Sequence, residues 1–221
     1  MRPACFHIFK KKEPPCDRLP CGHKRIPYLY EQAFQWYPSF DPLGDVLAHP
    51  NPTTAIDYMM RVLDHLVGDC AWPPHRIHLF GFAQGGSVAA ESAQKWWRRT
   101  LQLQLQLQQQ QKSDSMSTQQ QPFGSVVSVG GPLLSYPTLS TLCTTPILVF
   151  HRPSPAEPSL PKGALPAFRK GFTTVVDVQK SGVGMPRSKD EWYPIMQFWS
   201  ERLGRRQVDG LYEVMTGANS A

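Results

Sequence analysis

The stretch that most constrains the fold is "RIHLFGFAQGGSVAAESA", residues 76–93. Five residues suited to a strand, 76–80, run into a glycine-rich turn, and a helix rich in small residues opens near Gln84. Gly81, Gly85 and Gly86 leave no side chain where strand, turn and helix would crowd one another. Ser87, Ala89 and Ala90 then keep one helix face flat enough to lie close on a sheet. Such a unit belongs to an α/β fold and excludes an all-helical or all-β one.

Residues 26–45 are aromatic-rich, broken by prolines, and expected to pack on the core through Tyr28, Tyr30, Phe34, Trp36, Tyr37 and Phe40. The rest of the chain follows the same plan. Asn51 caps a helix with Pro52 at its first position and Gly68 at its end. Ile56, Met59, Met60, Leu63, Leu66 and Val67 form its apolar face. The elbow helix is expected to end near Trp96–Arg99, with helix continuing at most into the start of the next segment. Residues 101–121 hold ten glutamines and read as a low-complexity insertion with no catalytic role. "GSVVSVGG" (124–131), "PILVFH" (146–151) and "FTTVVDV" (172–178) are apolar runs bounded by Gly or Pro, as buried parallel strands are. "SKDE" (188–191) is a capping-box pattern. The helix behind it carries Trp192, Ile195, Met196, Trp199 and Leu203 on one face, with Pro194 near its start. The expected architecture is a mostly parallel sheet flanked by helices, spanning residues 26–204 between an irregular leader (1–25) and a peripheral tail (205–221).

Charge and cysteines narrow the partners. The leader holds seven Lys/Arg against two Asp/Glu, while the whole chain carries +6, so the body is nearly neutral. A neutral body offers no basic face for nucleic acid. No apolar run is long enough to span a membrane, and the N-terminus is not patterned as a signal peptide. Five scattered cysteines argue for reduced thiols and a cytoplasmic protein. Cys16, Cys21 and His23, with Cys5 or His7, fit no common zinc spacing, so no metal and no cofactor are expected.

With those residues on the page, the chain resembles the phospholipase/carboxylesterase family of α/β-hydrolases, which includes the acyl-protein thioesterases. The family carries Gly-Phe-Ser-Gln-Gly-Gly where this chain has Gly-Phe-Ala-Gln-Gly-Gly. "WYPSFDPLGD" resembles the family's aromatic region ahead of the elbow. "GSVVSVGGPLL" resembles the strand and loop after the elbow helix. "PILVFHRPSPAEP" resembles its strand ending in His-Gly with the catalytic aspartate beyond. "VVDVQKSGVGMPRSKDEW" resembles its last strand, Gly-x-Gly-His turn and final helix.

The resemblance implies an α/β-hydrolase fold whose triad positions fall on Ala83, Pro155 and Met185. Alanine has no nucleophilic atom, proline cannot orient an imidazole, and a methionine thioether is no base at neutral pH. The family's early oxyanion-hole loop has no counterpart ahead of residue 26, nor have the strands before it, so the sheet should lack its first strands. A chain incomplete relative to a longer hydrolase-like protein is one expectation this raises. Phe82 and the Gln84 N–H remain as pocket and half an oxyanion hole, while Gly81, Gly85 and Gly86 keep the elbow shape. The implied function is a non-catalytic module that binds an acyl chain, a lipidated protein or a protein partner. The alternative is an active ester or thioester hydrolase with its chemistry moved to Ser87 and His151. Glu157 would then be the nearest acid. In the bland reading His151 and His78 are core histidines and Asp177 makes a salt bridge.

Overall fold

The computed structural model describes residues 34–109, 121–135, 141–156 and 158–203. The leader with Cys16, Cys21 and His23, the aromatic residues Tyr28 and Tyr30, Glu157 and the tail lie outside these residues.

Helix α1 (Thr53–Gly68) precedes a short 3-10 turn, strand β1 (His78–Phe82) and helix α2 (Gln84–Gln109). Strands β2 (Ser125–Val129) and β3 (Ile147–His151), helix α3 (Ala164–Gly171), strand β4 (Val175–Gln179) and helix α4 (Lys189–Ser200) follow. The four strands pair in the order β1-β2-β3-β4, all parallel. Strands β2 and β3 are buried along their whole length, as their apolar runs require.

Alternate strand residues feed two cores. Leu79, Val126, Ile147 and Val149 face α1, α2 and α3, where they meet Leu63, Ala90, Trp96 and Phe168. Val127, Val129, Leu148 and Phe150 face α4 and meet Ile195 and Phe198. Phe80 lies 5.9 Å from each of the Trp192 and Trp199 rings on that second face.

The turn from β1 to α2 explains the glycines. Ala83 sits at φ +49°, in the left-handed region, and its N–H donates to Val129 O at 2.8 Å. A Cβ on Gly81 would come 2.1 Å from Gly85 O, and one on Gly86 would come 2.5 Å from Ser128 Oγ. Gly85 is less constrained, with its nearest neighbour, Trp36 Nε1, at 3.4 Å. Ala89, Ala90 and Ala93 then lie buried against the sheet.

Several boundaries differ from those read in the sequence. Strand β1 runs two residues further, through Gly81 to Phe82. Helix α1 begins at Thr53 and its C-cap is Asp69, although Asn51 Oδ1 still accepts from Thr53 N at 3.0 Å. Helix α2 continues through the Leu-Gln repeat to Gln109, because an established helix propagates through good helix formers whatever period their pattern suggests. Helix α3 gave no periodic signal: it has eight residues and contains Pro166. In α4 the capping box forms as read, and Pro194 lies inside the helix. Its inner face uses Phe198, while Met196 and Leu203 are exposed. Tyr37 is buried, but Phe34 and Phe40 point outward, 63% and 50% exposed, instead of packing on the core.

The strained turn makes a prediction. Left-handed backbone costs a non-glycine residue about 1–2 kcal/mol. That gain is partly offset by about 0.4–1 kcal/mol of extra freedom that glycine gives the unfolded chain. Ala83→Gly should therefore leave stability unchanged or raise it by up to about 1.6 kcal/mol. Gly86→Ala should lower it by at least about 1–3 kcal/mol through overpacking against Ser128. Urea unfolding of the two variants beside the parent checks both.

Candidate functional site

The elbow projects from the carboxyl end of β1, where ligand sites of parallel sheets collect. Gln84 opens α2, so its N–H has no intrahelical carbonyl to bind. Its side chain does different work. Gln84 Oε1 accepts from Trp36 N at 2.8 Å, and Nε2 donates to Ser39 Oγ at 2.6 Å and Tyr37 O at 3.1 Å. One amide thus clamps the aromatic 36–39 segment over the elbow. Phe82, beside Ala83, is 39% exposed.

Ser87 is fully buried in α2, and its Oγ has no hydrogen-bond partner in the structure. It approaches the Tyr37 hydroxyl without reaching hydrogen-bond geometry. Burial raises the Tyr37 pKa, and the nearby Glu91 carboxylate adds to this. Glu91, itself buried, anchors the loop after β2 by accepting from Leu134 N at 2.8 Å and Ser135 N at 2.7 Å.

The loops carrying Pro155 and Met185 leave the same edge of the sheet as Ala83. Pro155 follows β3 in a loop that folds back over the end of β2, where a Cβ on Gly130 would meet Pro158 Cβ at 2.2 Å. Met185 follows β4 and packs against the core that Val129, Phe150 and Ile195 share.

What fixes the Met185 loop is Arg152, the residue directly after β3 and 1% exposed. Its Nη1 donates to Glu191 Oε1 and to Ser181 O, both at 2.5 Å. Its Nε donates to Gly184 O at 3.2 Å and Nη2 to Met185 O at 3.4 Å. The guanidinium also lies 5.0 Å from the Phe150 ring centroid. Gly182 and Gly184 adopt φ +108° and +73° in this turn, and the Gly184 carbonyl faces the guanidinium. Glu191 Oε2 accepts from Arg187 N at 2.7 Å, so one carboxylate joins loop and α4 cap. Those bonds, that from Arg152 first and that from Arg187 N second, lower the Glu191 pKa to about 2.

His151 and Ser87 do not bond to each other. His151 is 7% exposed, and its Nε2 lies 3.0 Å from Asp177 Oδ1 on the neighbouring strand. His78 is half-buried beside Ser125, with Nδ1 and Oγ 2.8 Å apart, and burial lowers its pKa, with His75 adding to this. One depression among the described residues, about 270 Å³, is lined by His151, Ser154, Leu160, Lys162, Leu165 and Gln179. Phe82, Ala83, Gln84 and Met185 do not line it. No group of three His, Cys, Asp or Glu among the described residues is placed to hold a metal ion. No described helix is long and apolar enough to cross a membrane.

Sequence reasoning missed Arg152 and the clamp made by Gln84. A signal existed for Arg152: an arginine stands where the resemblance has glycine after the strand histidine.

The chain has the α/β-hydrolase fold. It aligns with SOBER1 of Arabidopsis thaliana at a TM-score of 0.54 and 16% identity, over 79% of this chain and 76% of that one. It aligns with acyl-protein thioesterase 2 of Zea mays at 0.52 and 17% identity, over 78% and 74%. It aligns with esterase PE8 at 0.51 and 18% identity, over 77% and 71%. In sequence it is 34% identical over 185 residues to "Uncharacterized hydrolase UM10204" of Mycosarcoma maydis, covering 82% of this chain. The chain spans 63% of that relative's length. No family profile matches it.

Removing the Arg152 guanidinium takes the donors from the Ser181, Gly184 and Met185 carbonyls and leaves Glu191 only its backbone donors, and each lost hydrogen bond to a charged group costs about 1.5–3 kcal/mol. Arg152→Met should therefore be strongly destabilised. The depressed Glu191 pKa has a sign. The carboxylate's contribution is full above its ordinary value of 4.5 and is lost as pH falls towards about 2. Glu191→Gln should flatten that part of the stability profile, which urea midpoints at pH 5 and pH 3 will measure.

Proposed function

We propose that this chain is a non-hydrolytic relative of the acyl-protein thioesterases and carboxylesterases, working in the cytoplasm as a binding or regulatory module. Its ligand would be an acyl chain, a lipidated protein or a protein partner. The observation that carries this reading is Ala83: a methyl group occupies a left-handed elbow at φ +49°, with nothing there to attack a carbonyl. Pro155 and Met185, at the other two triad-equivalent positions, supply neither a carboxylate nor a base. The Arg152 bonds support the same reading. They hold the Met185 loop by its carbonyls and leave the residue's side chain packed in an apolar core.

The alternative, an ester or thioester hydrolase using Ser87 and His151, requires Ser87 to meet substrate. Ser87 has no exposed surface, and His151 is turned towards Asp177. A nucleophile must lie within hydrogen-bond reach of its base and beside the substrate carbonyl, which this placement does not support.

The purified chain should show no turnover of p-nitrophenyl butyrate or an S-acyl thioester above the protein-free blank. It should also take up no fluorophosphonate label. Labelling at Ser87, or turnover that disappears in Ser87→Ala, would overturn the proposal in favour of a relocated site.

A further inference from the structure

The end of α1, ahead of the elbow in the chain, carries a set of reactive groups. His65 and Asp69 lie four residues apart and so share one helix face. His65 Nδ1 and Asp69 Oδ2 are 2.5 Å apart. The other ring nitrogen, Nε2, lies 3.8 Å from Cys70 Sγ, within the range of a contact to sulfur. In the tautomer whose Nδ1–H donates to Asp69, Nε2 presents its lone pair to the thiol. Nucleophile, base and orienting carboxylate therefore stand in series.

The backbone holds this arrangement in place. Asp69 N and Cys70 N both donate to His65 O, at 2.9 and 3.1 Å. Ala71 then turns the chain at φ +52°, and Trp72 N returns to Leu66 O at 2.9 Å. Trp72 packs against the main core and anchors the far side of the turn. The cysteine is thus fixed between a helix end and a core aromatic, five residues from its base. Cys70 is exposed, and His65 and Asp69 side chains are 63% and 74% exposed, so a small molecule reaches all three. Cys143, the other cysteine among the described residues, is buried, and burial raises its pKa.

We propose that Cys70, with His65 as its base and Asp69 orienting the ring, is a site of thiol–disulfide exchange with low-molecular-mass disulfides. The Cys70 thiol passes its proton to His65 Nε2, and the thiolate attacks one sulfur of the disulfide. The S–S bond of the reagent breaks as the new one forms. The departing thiolate recovers the proton from the imidazolium and leaves as a free thiol. Cys70 is oxidised to a mixed disulfide, and half of the reagent is reduced. This proposal is independent of whether the elbow hydrolyses anything.

The test uses the full chain and glutathione disulfide, with each cysteine followed by peptide mass mapping. Solvent screens an exposed base, so the expected effect is modest for a general base: about 5-fold. Cys70 should be modified while Cys143 is not, His65→Gln should slow Cys70 by about that factor, and added imidazole should restore the rate. Restoration by imidazole distinguishes lost chemistry from a frayed helix end. An unmodified Cys70, equal rates in the parent and His65→Gln, or a slowed rate that imidazole does not restore would overturn the proposal.

Discussion

Everything in the arrangement rests on how closely α2 approaches β1. At Gly81 the strand backbone lies so near Gly85 and Gly86 that a single methyl group would overlap a carbonyl. That contact exists because Ala83 reverses the chain in the left-handed region. It places the small-residue face of α2 on β1 and β2, and α1 and the larger core residues fill in behind. A fold held by such a contact keeps its glycines for packing reasons alone. The elbow's shape therefore rests on these close contacts and on the left-handed turn at residue 83, not on a nucleophile.

Arg152 plays the corresponding part at the other end of the sheet. A guanidinium has five donors in a planar fork, and here they are spent on loop carbonyls and one carboxylate. Glu191 is held in turn by the backbone at the start of α4. The loop after β4 is consequently a structural link between β3 and α4. In the enzymes the sequence resembles, the corresponding turn presents a histidine to the nucleophile. Here the carbonyls of Ser181, Gly184 and Met185 face a buried cation.

The sequence was legible where a residue's role was local. Gly81 acts through neighbours four and five residues away, so the glycine spacing announced a strand-to-helix turn. Buried runs such as "ILVFH" identified β3, and Ser188 with Glu191 identified the start of α4. Roles spread along the chain were not legible. Arg152 bonds to residues up to 39 positions away, and Gln84 reaches back 48 to Trp36. Neither separation leaves a periodic trace. Aromatic content likewise gives no direction: Tyr37 is buried, while Phe34 and Phe40 of the same segment are exposed. His65, Asp69 and Cys70 stand within six residues, but a cysteine count alone does not single out Cys70.

The central claim is that the elbow survives as architecture after its chemistry has gone. It is tested most directly by restoring the chemistry. The variant Ala83→Ser, Pro155→Asp, Met185→His should be labelled by a fluorophosphonate at position 83, while the parent chain, equally folded by circular dichroism, takes up none. A folded triple variant that stays unlabelled, or a parent chain labelled as readily as the variant, would contradict the account.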